Sequence, residues 1–207
     1  MPEIRHATVL ESTPLGPGYH TFVLESETPL GARPGQWAAF WSDIPNPAKP
    51  GEPYKRAWSF TELDGDRRFR LLVATVGLCT RWLVEQPVGA RIRFTGPWGS
   101  RFLLDEGDAP ASFFATGSGI SPVGALVDAC VARGRKARLY WETSEVPIRA
   151  RVARWRSAGV EVDVAPRLDP EGDGTWWLAG DGGRIDEVVP RLGGTAIVER
   201  FFTPRPA

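Results

Sequence analysis

The first half of the chain carries short runs of alternating or β-branched residues, separated by glycine and proline. This period-two pattern predicts strands rather than helices. We expect six of them, at Ala7–Thr13, Tyr19–Glu25, Trp37–Ser42, Arg56–Thr61, Arg68–Ala74 and Ala90–Thr95. One helix, Leu78–Glu85, is expected directly after Val76-Gly77. Six short strands joined by turns indicate a closed antiparallel β-barrel.

After Pro110 the pattern changes to alternating strands and helices. The expected strands are Ser112–Thr116, Ala137–Glu142, Val160–Ala165, Thr175–Gly180 and Thr195–Phe201. The expected helices are Val123–Arg133, Val146–Ser157 and Arg184–Val189. Such alternation is typical of an α/β domain with a parallel sheet, here five-stranded, whose ligands bind at the carboxyl ends of the strands. We therefore expect two domains, residues 1–107 and 108–207, joined near the polar segment Asp105-Glu106-Gly107-Asp108.

The connection between the third and fourth strands of this sheet is unusually short. Only eight residues, Arg167 to Gly174, separate two strands that should be parallel, whereas such crossovers usually need about a dozen or more. Eight extended residues reach ~26 Å, which just allows the chain to return along a strand. The helix that normally covers this crossover is therefore expected to be missing.

Composition and charge narrow the classes of function. Apolar residues make up 42% of the chain, and basic and acidic residues number 25 each, which indicates a globular protein without a nucleic-acid or membrane partner. No apolar run approaches the ~20 residues of a membrane span, and the first residues do not resemble a signal peptide, so a cytoplasmic protein is expected. The two cysteines cannot supply an iron–sulfur cluster or a structural zinc site, and we expect no metal. Any redox chemistry must therefore use a bound organic cofactor.

Three short stretches carry candidate chemistry, and each has a structural alternative. Phe113–Pro122 predicts a strand, a Gly-x-Gly loop and a helix, which suits a phosphate, but a plain strand-to-helix turn would look the same. Arg56–Ser59 combines a guanidinium that can bind a phosphate, a flat indole and a hydroxyl. The structural alternative is a surface arginine beside a core tryptophan. Gly77–Thr80 predicts a helix start whose N–H groups could bind a pyrophosphate. The structural alternative is an ordinary capped helix without a ligand.

Together these stretches resemble the ferredoxin–NADP reductase superfamily across nearly the whole chain. The resemblance is carried, in order, by Pro34-Gly35-Gln36, Arg56-Ala57-Trp58-Ser59, Gly77-Leu78-Cys79-Thr80, Gly96-Pro97-Trp98-Gly99, Thr116-Gly117-Ser118-Gly119-Ile120-Ser121-Pro122 and Glu199-Arg200-Phe201. It implies a barrel domain that binds FAD, followed by a domain that binds a nicotinamide nucleotide.

The resemblance also implies roles for individual residues. In the barrel domain, Arg56 would bind a flavin phosphate, Trp58 would replace the usual tyrosine against the flavin ring, and Ser59 would face the ring nitrogen N5. The FAD pyrophosphate would be held by Gly77, Leu78, Cys79 and Thr80. The nicotinamide nucleotide would be held by Thr116, Gly117, Ser118, Gly119 and Pro122, with Arg167, Gly180 and Asp181 as further candidates. Glu199 and Phe201 would lie near the flavin, which makes Ser59 and Glu199 the catalytic candidates.

Some residues depart from the family pattern. Ala179-Gly180-Asp181 stands where the family often has Cys-Gly, so no thiol is expected near the nicotinamide. Glu142 and Glu145 follow the second strand of the sheet, where members that prefer NADPH often carry an arginine. Two carboxylates would repel a ribose 2′-phosphate, which favours NADH, whereas Arg167 could bind such a phosphate.

The expected function is a flavin-dependent reductase that passes electrons from NAD(P)H through bound FAD to ferredoxin, flavodoxin, another redox protein or a small acceptor. One alternative is a flavin-binding electron-transfer subunit that lacks a nicotinamide nucleotide site and is fed by a partner protein. Another is an enzyme for which free flavin is a substrate. Arg149, Arg151, Arg154 and Arg156 give one helix a basic face that is either solvated or docks an acidic redox protein.

Overall fold

The computed structural model describes residues 3–16, 18–46 and 49–201. The chain divides into two compact units, Met1–Ser100 and Arg101–Ala207. The expected link around Asp105 belongs to the second unit. Arg135 donates hydrogen bonds to the carboxylate of Asp105 at 2.8 Å and to the carbonyl of Ala109 at 2.6 Å. Trp177 Nε1 donates to the carbonyl of Leu103 at 2.9 Å, so the division falls at Ser100, before the polar segment.

The first unit is a curled antiparallel sheet. Its strands are β1 (Arg5–Pro14), β2 (Tyr19–Ser26), β3 (Trp37–Pro45), β4 (Pro53–Ser59), β5 (Glu62–Asp64), β6 (Arg68–Ala74) and β7 (Arg91–Trp98), with helix α1 (Leu78–Val84) after β6. They are hydrogen-bonded in the order β4-β3-β7-β1-β2-β6-β5. The six expected strands and the helix are present. Strand β5 is a seventh that the sequence did not predict, and β4 begins and ends earlier than expected.

Aromatic side chains fill the core of this sheet. Phe40 lies at the centre, with its ring 5.3 Å from that of Trp58, 5.5 Å from Phe94 and 6.2 Å from Phe69. Phe60 meets Phe69 edge to face at 5.2 Å. These buried side chains come from β3, β4, β6 and β7 and the turn after β4, so the core holds the strands in one curved layer.

The second unit contains a five-stranded parallel sheet, as expected. Its elements are β8 (Ala111–Thr116), α2 (Ile120–Ala132), β9 (Ala137–Glu142), α3 (Arg149–Ser157), β10 (Glu161–Ala165), β11 (Thr175–Asp181), α4 (Gly182–Val188) and β12 (Thr195–Phe201). The strands are ordered β10-β9-β8-β11-β12, and every pair is parallel. The chain therefore runs outward from β8 on one side and returns to start β11 on the other, which places a topological switch point between β8 and β11.

Three helices begin at residues other than those expected. A 3₁₀ turn over Gly117–Gly119 leads directly into α2, so the helix starts at Ile120 and Pro122 lies inside its first turn. Proline is tolerated there because the first N–H groups of a helix have no intrahelical partner. Helix α3 starts at Arg149 rather than Val146, and α4 starts at Gly182 rather than Arg184. No helix in the described ranges is long and apolar enough to span a membrane.

The connection 166–174 contains no helix and is tied down by hydrogen bonds. Arg138 donates to the carbonyl of Glu171 at 3.1 Å, and Trp176 Nε1 donates to that of Gly172 at 3.2 Å. The N–H of Leu168 donates to the carboxylate of Glu142 at 2.8 Å. The segment therefore has a defined path although it has no repeating structure of its own.

A buried ion pair secures the start of this segment. Arg184 and Glu142 are only 8% and 7% exposed, and the guanidinium contacts both carboxylate oxygens, at 3.0 Å from Nε and 2.7 Å from the nearer terminal nitrogen. Arg184 also donates to the carbonyl of Leu168. The hydrogen bond with Glu142 raises the pKa of Arg184 above its usual value, against the opposing effect of burial. Arg184 of α4 is thus joined to the end of β9 and to the start of the connection 166–174.

Removing the carboxylate from this pair is expected to destabilise the second unit. Glu142→Gln would leave the buried Arg184 without its main counter-charge, a change that typically costs about 3–5 kcal/mol. Denaturant unfolding with tryptophan fluorescence measures the loss. The matched control is Glu187→Gln, because Glu187 pairs with the same guanidinium at 3.1 Å from an exposed position. Equal losses in the two variants would contradict the prediction.

Candidate functional site

The residues of β4 that are predicted to bind flavin are largely buried within the first unit. Trp58 is 8% exposed and belongs to the aromatic core, and Ser59 is 9% exposed. Arg56 is half-buried and lies opposite Phe40 on β3. Because neighbouring side chains on a strand face opposite ways, Trp58 and Ser59 point to different sides of β4. Trp58 can therefore offer a ligand only a narrow edge of its indole, and its larger role in the structure is packing.

The start of α1 lies beside β4. Ser42 Oγ, on β3, donates to the carbonyl of Tyr54 on β4 at 3.1 Å and lies 3.9 Å from Cys79 Sγ in α1. Thr80 is occupied by the helix start itself, because its hydroxyl accepts from the N–H of Gly77 at 2.9 Å and donates to the Gly77 carbonyl at 2.8 Å. Thr80 therefore caps the helix, and a bound phosphate would meet main-chain N–H groups rather than this hydroxyl.

The surface around the start of α1 is suited to a ligand with both charged and aromatic parts. Val76 is 68% exposed and Leu78 is 58% exposed, which is unusual for apolar side chains that flank a helix start. The first N–H groups of a helix have no intrahelical partner and attract anions. Arg56 adds a positive charge on the adjacent strand β4. These features are compatible with a dinucleotide such as FAD.

The nucleotide candidates of the second unit come together at its switch point. Thr116 ends β8, and its hydroxyl accepts a hydrogen bond from the N–H of Asp181 at 2.7 Å, at the end of β11. The carboxylate of Asp181 in turn accepts from the N–H of Arg184 at 2.9 Å and caps α4. The loop after β8 and the end of β11 are thus joined side by side at the carboxyl edge of the sheet.

Two glycines allow this close approach. A Cβ atom on Gly119 would lie 2.0 Å from the carbonyl oxygen of Ala179, and one on Gly180 would lie 2.1 Å from Thr116 Oγ1. Gly180 also has a φ of +131°, which other residues rarely adopt. Both glycines are therefore required by the contact between loop and strand end, whether or not a ligand is present.

The remaining nucleotide candidates differ in accessibility. Ser118 is half-buried in the 3₁₀ turn, whereas Pro122 is buried in α2 and packs rather than faces a ligand. Arg167 is exposed, and its guanidinium donates to the carboxylate of Glu187 at 2.8 Å. That ion pair must be shared or broken before Arg167 can bind a phosphate.

The electrostatic argument for NADH is weakened by the position of Glu142. Glu142 is one of the two carboxylates expected to face the ribose, but its side chain is buried and paired with Arg184. Its charge is therefore largely neutralised, and only Glu145 remains as an exposed carboxylate. The sequence did not reveal the pair because the two residues lie far apart along the chain.

The basic face expected on α3 is largely used inside the second unit. Arg151 is buried and pairs with Asp128 of α2 at 2.7 Å, and the more exposed Arg154 reaches the same carboxylate at 3.2 Å. Arg156 donates to the carbonyl of Val162 at 2.8 Å. These arginines hold α3 against α2 and β10, so the docking face is smaller than the sequence suggested.

Cys130 and His20 lie in packed, buried surroundings. Cys130 is fully buried, which raises the pKa of its thiol to about 11. His20 lies 2.8 Å from Ser12 Oγ and stacks on Phe22, and burial lowers its pKa. Within the ranges that the structure describes, no cluster of His, Cys, Asp and Glu could hold a metal ion.

Known proteins are similar in sequence to about half of this chain. No model of a known protein family matches the chain. It is 36% identical over 110 residues to ferredoxin–NADP reductase B of Sorangium cellulosum (strain So ce56), covering 51% of this chain and 43% of that protein. It is 33% identical over 114 residues to methane monooxygenase component C of Methylosinus trichosporium, covering 51% and 32%. The matched part spans less than half the length of either relative.

Solved structures match over almost the whole chain. The cytochrome b5 reductase domain of Ulva prolifera nitrate reductase superposes with a TM-score of 0.78 at 16% identity, covering 95% of this chain and 97% of that domain. The chain therefore has the fold of this reductase domain. The fold that the sequence resemblance implies is confirmed. The roles of individual residues within this reductase-like fold stay predictions.

Replacing Gly119 is expected to disrupt the reductase-like second unit. Gly119→Ala would drive a methyl group into the backbone at Ala179, so the loop and the end of β11 must separate. Thermal unfolding should show a large loss of stability. Gly182→Ala is the control, because a Cβ there would meet nothing closer than 3.7 Å. A Gly119→Ala protein as stable as this control would contradict the contact.

Glu199, on β12, is expected to make stability depend on pH. Burial raises the pKa of its carboxyl above the ordinary value of 4.5. As the pH rises, the carboxyl therefore loses its proton at a lower pH in the unfolded chain than in the folded one. The contribution of Glu199 to the free energy of unfolding is present below pH 4.5 and is lost as the pH rises through the higher folded pKa. Glu199→Gln should abolish that decline in a pH series of thermal unfolding.

Glu187→Gln provides a control of opposite sign for this series. Hydrogen bonds from Arg167 and then Arg184 lower the pKa of Glu187. Its contribution is therefore present above the unfolded pKa and is lost as the pH falls through the folded one. If the stability of Glu199→Gln follows that of the unmodified protein at every pH, the burial of Glu199 is refuted.

Proposed function

We propose that the chain is a flavin-dependent reductase that takes electrons from NADH or NADPH through bound FAD and passes them to a separate redox carrier. The observation that supports this most directly is the meeting of Thr116–Gly119 with Gly180 and Asp181 at the switch point of the parallel sheet. Ligands of open α/β sheets bind in the crevice at that position. The relatives named as a ferredoxin–NADP reductase and a methane monooxygenase component support the same class of activity.

In this proposal the loop after β8 binds the pyrophosphate of the nicotinamide nucleotide. Its main-chain N–H groups and the start of α2, a helix of 13 residues, provide the positive end of a helix dipole. Thr116 and Asp181 hold the loop in place through their own hydrogen bond and do not need to touch the nucleotide. The choice of NADH over NADPH rests on Glu145 alone, since Glu142 is paired with Arg184.

The first unit would hold the flavin. Bound FAD would supply an acceptor for the nicotinamide hydride and a donor of single electrons to the next carrier. Arg56 and the first N–H groups of α1 would bind its phosphates, and Val76 and Leu78 would be covered by its apolar parts. Ser59 would direct its hydroxyl to the flavin ring. The final acceptor in the proposal is ferredoxin, flavodoxin or another redox protein.

A second candidate is a flavin-binding subunit that receives electrons from a partner protein instead of a nucleotide. It is favoured by the segment 166–174, which has no helix, and by the ion pair that occupies Arg167. In that case the loop after β8 would serve only to pack against the end of β11.

An anaerobic titration separates these proposals. The purified full chain, loaded with FAD, should lose its visible flavin absorbance when NADH or NADPH is added, on the order of one nucleotide per flavin. Bleaching by a nucleotide supports the reductase. A stable flavin spectrum that neither nucleotide changes, but that a chemical reductant bleaches, would support the electron-transfer subunit. A protein that retains no FAD would contradict both.

A further inference from the structure

Trp141 makes a contact that neither the sequence motifs nor the proposed chemistry accounts for. Its side chain is completely buried near the end of β9, the neighbour of β8 in the sheet. The indole Nε1–H donates to the carbonyl oxygen of Gly117 at 2.9 Å. Gly117 begins the 3₁₀ turn of the candidate nucleotide loop and has a φ of +49°. A core side chain from another strand therefore holds one carbonyl of that loop.

Holding this carbonyl also fixes the N–H group on the other side of the same peptide bond. The C=O of Gly117 and the N–H of Ser118 lie in one plane and point in opposite directions, because the peptide bond is planar and trans. The carbonyl points to an indole that is wholly inside the unit. The N–H of Ser118 must therefore point away from that indole, and Ser118 itself is half-buried rather than enclosed.

The hydrogen bond matters because of where the peptide lies. Glycine lets the backbone rotate more freely than any other residue does. The Gly117 carbonyl does accept a hydrogen bond from the N–H of Ile120 in the 3₁₀ turn, but that donor is shared with the carbonyl of Ser118. The loop has a second attachment, from Thr116 to Asp181, but this precedes Gly117 and does not set the orientation of the following peptide. Trp141 adds a second, buried restraint on the Gly117 carbonyl.

We propose that Trp141 is a positioning residue that aims the N–H of Ser118 at the nucleotide pyrophosphate. This inference rests on the proposed nucleotide-binding function of the loop. Trp141 does not touch the nucleotide, and it acts by preventing rotation of the Gly117–Ser118 peptide. The site is thereby organised before the ligand arrives, which reduces the conformational entropy lost on binding.

The second unit offers a matched control. Trp177 on β11 is also completely buried, and its Nε1–H also donates to a backbone carbonyl at 2.9 Å, that of Leu103. Trp141→Phe and Trp177→Phe remove the same atoms and the same kind of hydrogen bond. A purely structural role for Trp141 predicts similar effects of the two substitutions.

The experiment measures NAD⁺ and NADP⁺ binding to the FAD-loaded full chain by calorimetry, together with thermal stability and the amide NMR signal of Ser118. Both variants should lose comparable stability. Only Trp141→Phe should weaken binding of the preferred nucleotide, by about tenfold, as expected for one misdirected hydrogen bond to a charged group. Only this variant should shift the Ser118 amide signal.

The outcomes distinguish this inference from the proposed function. Tight nucleotide binding by the unmodified protein, with equal affinities in the two variants, would overturn the role of Trp141 and leave the reductase intact. If the unmodified protein binds neither nucleotide, the proposed nucleotide site fails, and the role of Trp141 fails with it. A selective loss of affinity in Trp141→Phe supports the inference.

Discussion

The candidate nucleotide site depends on one steric constraint, the contact between the loop after β8 and the end of β11. There is no room for a side chain at Gly119 or Gly180, because a single methyl group would overlap backbone or hydroxyl atoms of the opposing segment. This contact allows Thr116 to reach the N–H of Asp181, and Asp181 in turn caps α4. The switch point of the sheet therefore has a fixed shape before any ligand binds.

Buried polar contacts extend this rigidity into the rest of the second unit. Arg184 follows the cap at Asp181 and pairs with Glu142 at the end of β9, while the adjacent Trp141 holds the carbonyl of Gly117. The hydrogen bonds thus pass from the loop to β11, to α4, to β9 and back to the loop. Each buried group in this circuit has a partner, as low-dielectric surroundings require.

The sequence predicted the architecture well because its signals were local. Glycine and proline separated the strands of the first unit, and alternating periodicity identified the five parallel strands of the second. Strand β5 was missed because three residues, Glu62–Asp64, are too few for a pattern to register. The sequence predicts the start of α2 at Val123, three residues too late, because the 3₁₀ turn over Gly117–Gly119 leads directly into a helix that begins at Ile120.

The site was predicted less completely, since it depends on partners distant in sequence. Nothing next to Glu142 indicates that Arg184 neutralises it, and nothing next to Trp141 indicates a contact with Gly117. Thr80 lies in the first turn of a helix, as the sequence predicts, but its hydroxyl is hydrogen-bonded to the N–H and the carbonyl of Gly77. Side-chain contacts across the sheet cannot be obtained from periodicity alone.

The connection 166–174 has a consequence for the order in which the second unit can form during synthesis. The groups that fix it include Arg184, Gly193 and Thr195, since the last two donate N–H groups to the carbonyls of Gly172 and Gly174 at 3.1 and 2.9 Å. All three leave the ribosome after the segment itself. Until they do, the carboxylate of Glu142 has no buried counter-charge. The half of the sheet made first, β8 to β10, therefore emerges before Arg184, the residue that neutralises Glu142 at the end of β9.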